Sequence, residues 1–124
     1  MTADILREFT KEEIIQWVQE KTLFMRISRR DLLYIRWRNM SQKALADSQA
    51  EMDRWKASKP DFKKRDALAI EFNNSKDQAE RLRLLEKMQP YDNALQDHLK
   101  RTQAIDKQQG KADEVYRQLQ RDQP

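Results

Sequence analysis

Arg29, Arg36 and Lys43 stand seven residues apart, and on a helix that spacing places three cations in one row. With Arg26, Arg30 and Arg38 they belong to the basic stretch of the chain, because residues 21–43 hold seven Lys and Arg against Asp31 alone. No acidic residue occurs from Leu32 to Ala46, so neither Arg36 nor Arg38 has a carboxylate one helical turn away. Such a row can bind anions, either phosphates on a nucleic acid or carboxylates on an acidic protein surface. It can equally be neutralised from within. The preceding segment carries Glu12, Glu13 and Glu20, and would face the row if the link near Arg26 turned the chain back. Arg36 and Arg38 point about 200° apart around a helix, so no narrow surface uses both.

Other residues with chemical capability are fewer. His98 is the single histidine and there is no cysteine, so neither a zinc cluster nor a thiol nucleophile can be assembled. Asp47 and Glu51 lie one turn apart, as a magnesium-binding pair would, but on a helix this rich in charge they read as solvated surface. Trp17, Tyr34 and Trp37 could stack on nucleobases, yet they sit among isoleucines and leucines at core spacing and read as packing residues. Trp55, between Arg54 and Lys56, marks either an anchor for a helix end or an interface. No cofactor and no metal are expected.

The elements that carry these residues are helices. Thr10 and Glu13 have the spacing of a reciprocal helix cap, and Phe9 with Ile14 that of the apolar pair bracketing such a cap. Ile14, Ile15, Trp17, Val18 and Phe24 supply the apolar face. Met1–Glu8 is either a short helix or a loose arm. A second helix starts at Ser28, with Asp31 in its first turn and Ile27 and Leu32 bracketing the start. It meets no breaker before Ser58–Lys59–Pro60, about 30 residues and roughly 45 Å later. Pro60 opens a third helix, expected to stay continuous through Asn73–Ser75, although Ser75 and Gln78 offer a fresh cap. Pro90 kinks or ends it. From there Tyr91, Leu95, His98, Thr102, Ile105, Gln109, Ala112, Tyr116 and Leu119 alternate four and three apart, the seam pattern of a coiled coil.

Composition agrees. The 124 residues contain one glycine and 37% charged residues, with a net charge of +4. Lack of glycine excludes phosphate loops and dinucleotide fingerprints and disfavours β-rich folds. No apolar run is long enough to cross a membrane, and no signal peptide is expected. We therefore expect one all-α domain over 1–124. It would comprise a denser apolar part in 1–45, able to fold without the chain beyond Gln109, a helical hairpin in 46–90, and an amphipathic helix in 91–124 with a frayed tail. The expected function is non-enzymatic. The chain would be a cytoplasmic interaction or regulatory module, of inhibitor or adaptor type, that binds another protein and associates with itself as a dimer. Nucleic-acid binding through the basic stripe is the alternative.

Overall fold

The computed structural model describes residues 2–20 and 28–122. These form helices α1 (Thr2–Glu8), α2 (Lys11–Glu20), α3 (Arg29–Ser58), α4 (Phe62–Asn74) and α5 (Gln78–Arg121), with no strand among the described residues. The protein is all-α. Phe24, Arg26 and Ile27 lie outside the described residues. Contacts divide the chain into two compact units, Met1–Asp47 with Ile105–Pro124, and Ser48–Ala104. α3 and α5 supply residues to both.

In the first unit the cap of α2 forms as its spacing predicts. The Thr10 N–H donates to Glu13 Oε1 at 2.9 Å and the Glu13 N–H donates to Thr10 Oγ1 at 3.2 Å. At the start of α3 the Leu32 N–H reaches the Ser28 carbonyl. Leu32, Leu33 and Ile35 are fully buried because three faces of this turn are covered. They join Phe9, Trp17, Val115 and Leu119 in one cluster, against which Ile14, Trp37 and Met40 pack. The core of the N-terminal part therefore includes residues beyond Gln109. Val115 and Leu119 complete it, and fully buried Ala112 lies one turn earlier on α5.

In the second unit the chain reverses at Ser75–Asp77, not at Ser58–Pro60. α4 follows α3 in the same sense along α5. Trp55 of α3 meets His98, whereas Phe62 of α4 meets Tyr91 and Arg81 lies over Phe72. The helix expected from Pro60 to Pro90 is thus interrupted. The Ser75 N–H closes α4 on the carbonyls of Glu71 and Phe72, and Asp77 caps α5 by accepting from the Ala79 N–H. Local caps win here because Ser75 and Asp77 offer the backbone an alternative to the helical ladder. α4 itself starts at Phe62, two residues after Pro60, under an Asp61 cap.

Pro90 does not end its helix. α5 runs through it. Its missing N–H and ring clash cost about 3 kcal/mol, offset by burial of Leu84 and Met88 in the preceding turns. The buried face of the last part of α5 also differs from the expected seam. Val115 is buried and Tyr116 exposed, and Gln108 is covered more than Gln109. One residue of offset moves a helical position by about 100°, so the register follows the better-packing valine.

Candidate functional site

The basic stripe is positioned by α3 and met by carboxylates from three other elements of the first unit. Arg36 Nε donates to Glu13 Oε2 at 2.8 Å and Arg36 Nη2 to Glu13 Oε1 at 2.9 Å. The guanidinium also lies 4.4 Å from the centre of the Phe9 ring. Burial pushes the Glu13 carboxyl up, but hydrogen bonds from Arg36 and Thr10 outweigh it and hold the group below its ordinary value. Arg29 forks onto both oxygens of Glu8, at 2.7–3.0 Å, and also binds Asp122. The Arg29 hydrogen bonds hold Glu8 low, and Glu8 in turn raises Arg29. Arg38 pairs with Glu20 at 2.5 Å, and Lys43 with Asp47 at 2.8 Å one turn along α3. From α2, Glu13 reaches Arg36 and Glu20 reaches Arg38, whereas Glu12 is exposed. Arg30 is exposed and has no ion pair among the described residues. Arg26 lies outside them.

The aromatic residues divide. Trp17 is buried and its Nε1–H donates to Asp31 Oδ2 at 3.1 Å. Trp37 packs on the core and touches Tyr116, with ring centres 5.4 Å apart. Tyr34 is exposed beside Trp37, with Arg38 over its ring at 5.7 Å.

In the second unit Trp55 stacks on His98, with centres 4.3 Å apart and planes within 10°. His98 Nδ1 lies 3.0 Å from Glu51 Oε1. Arg54 binds the same carboxylate through Nε at 2.8 Å and Nη2 at 2.5 Å. The Arg54 hydrogen bonds, with help from His98, hold the Glu51 carboxyl down at about 2. At neutral pH it is a carboxylate and an acceptor, so the histidine proton sits on Nδ1. Trp55 thus anchors α3 to α5. Neither Asp47 nor Glu51 is free to hold magnesium as a pair, since each is held by a cation of its own. Among the described residues no group of His, Asp and Glu is arranged to take a metal ion.

Sequence reasoning missed two clefts. One, of about 500 Å³, is lined by Pro60, Asp61, Lys64, Lys87, Pro90 and Tyr91. The other, of about 230 Å³, is lined by Met40, Lys43, Gln108 and Lys111. Gln108 helps hold Asp47 ionised, and its Oε1 is buried without a hydrogen-bond partner. The prolines at 60 and 90 were the available signal for the larger cleft, but only the reversal at Ser75–Asp77 brings them together. Compared with protein-family models, curated proteins and solved structures, the chain matches none.

Proposed function

We propose that this protein works without chemistry of its own, as an interaction module that binds another protein. The carrying observation is a set of apolar pairs left exposed at helical spacing. Ile15 (45% exposed) and Val18 (55%) lie one turn apart on the outer face of α2. Leu82 with Leu85 and Leu95 with Leu99 repeat the arrangement on α5. Single exposed apolar residues are ordinary, but paired ones at i,i+3 or i,i+4 make a ridge that a partner helix can cover. Arg29, Arg36, Arg38 and Lys43 already hold carboxylates of the fold, so phosphate would have to displace them there. The module is cytoplasmic in this reading, and a dimer is the first partnership to test.

The test combines binding and folding on the same variants. Ile15→Glu with Val18→Glu, and Leu95→Glu with Leu99→Glu, place charge on exposed positions and should leave helical content unchanged. Loss of self-association in light scattering, or of a co-purified partner from the native host, is the expected result for at least one pair. Association indifferent to both pairs would remove the proposal's support. Binding to a mixed-sequence duplex that weakens steeply between about 50 and 200 mM salt would favour the nucleic-acid alternative.

A further inference from the structure

We propose that the cleft lined by Pro60, Asp61, Lys64, Lys87, Pro90 and Tyr91 docks an acidic peptide segment carrying one large apolar side chain. This rests on the reading of the protein as a protein-binding module and names one site and the chemistry it accepts.

The floor is apolar and stiff. Two proline rings have no side-chain freedom to lose, and the Tyr91 ring is braced by Phe62, centre to centre 6.3 Å, which is braced by Trp55 at 6.0 Å. A volume of about 500 Å³ takes a phenylalanine or leucine side chain together with flanking backbone. The rim sets the sign. Lys64 and Lys87 are exposed and have no ion pair among the described residues. Asp61, the one carboxylate here, is engaged as the cap of α4, accepting from the Lys63 N–H at 3.1 Å. The positive end of that helix offsets its charge further. A third cleft, lined by Glu71, Glu80, Arg83, Leu84 and Lys87, shares Lys87 with this one and is balanced, with Glu71 and Glu80 against Arg83 and Lys87. On the proline-lined rim itself, Lys64 and the shared Lys87 outnumber the engaged Asp61, and that local positive charge complements carboxylates on either side of an apolar anchor. Two lysines are too few to hold a nucleic-acid backbone, whose binders neutralise several phosphates at once.

Fluorescence anisotropy on the full chain tests this with a labelled short peptide, a central phenylalanine flanked by glutamates. Two control peptides replace the glutamates by lysine or the phenylalanine by alanine. The acidic peptide should bind, and both controls should bind at least ~10-fold more weakly. Lys64→Glu with Lys87→Glu should cost the acidic peptide ~10-fold or more in affinity, with an unchanged helical spectrum because both lysines are exposed. No binding, binding indifferent to the lysine substitutions, or equal binding of the lysine peptide would each overturn the proposal. So would loss of self-association in the double variant, which would assign the cleft to a second copy. The charged variants at Ile15/Val18 and Leu95/Leu99 are measured in parallel. If those ridges still govern association while the acidic peptide fails, the cleft assignment falls and the interaction-module reading stands.

Discussion

The first unit and the second are both helical, yet they are held together differently. In the first, four segments of chain bury large side chains in one cluster, and guanidinium–carboxylate pairs join α3 to its neighbours. In the second, the buried apolar side chains are Leu84 and Met88, both on α5, and the remaining order comes from paired helices, a ring stack and a buried carboxylate. Paired helices bury one stripe each, whereas a cluster closed on several sides buries side chains from every segment that meets it. Both units keep apolar side chains in solvent, Ile15, Val18 and Leu45 in the first and Ile70, Leu82, Leu85, Leu95 and Leu99 in the second.

The sharpest way to break this comparison is truncation after Gln109. It removes Ala112, Val115 and Leu119 from a closed core, a loss on the order of 5 kcal/mol or more, comparable with the whole stability of a small domain. Circular dichroism should show the first unit unfolded; a truncated chain that still melts cooperatively with native helical content would contradict the closed core. Next comes Leu33→Ala, expected to cost about 3–5 kcal/mol in urea denaturation, against about 2 kcal/mol for Leu84→Ala where helices can close up. Equal costs would erase the distinction.

Arg36→Met should cost about 1–2 kcal/mol. It strands Glu13, but the pair is partly open to solvent, which discounts the penalty of a fully buried one. Glu51 gives the corresponding handle on the second unit. Its folded pKa of about 2 lies below its ordinary value of 4.5, so the unfolded chain binds more protons between the two. Its stabilising contribution is complete above about pH 4.5 and is lost as pH falls toward 2. Glu51→Gln should flatten the acid limb of the melting-temperature curve, and an unaltered acid limb would show the carboxylate to be unimportant. Smallest is Lys43→Ala, about 0.3–0.5 kcal/mol, because an exposed pair one turn apart on its own helix holds nothing else in place.

What the sequence made legible was local. The cap at Thr10 and Glu13, the start near Ser28 and the stop near Ser58 each depend on residues within four positions of one another, and all three formed. The reversal at Ser75–Asp77 was visible as an option, but choosing it required knowing that α4 pairs with α5. Neutralisation by Glu12, Glu13 and Glu20 was one of the open readings of the stripe; Glu13 pairs with Arg36 and Glu20 with Arg38, while Glu12 is exposed. The Arg29–Asp122 contact joins residues 93 apart, which no spacing argument reaches. The choice of Val115 over Tyr116 was likewise decided by the opposite wall of the core.

Glu13 Oε1 accepts both the Thr10 N–H and Arg36 Nη2. A helix start that would ordinarily form and fray on its own is therefore wired to a residue on another helix. α2 and α3 are therefore expected to gain and lose order together, since loosening either contact weakens the other. Amide hydrogen exchange at Thr10 should report separation of the two helices and not fraying of one, and it should accelerate when Arg36 is replaced even though no atom of the cap itself has changed.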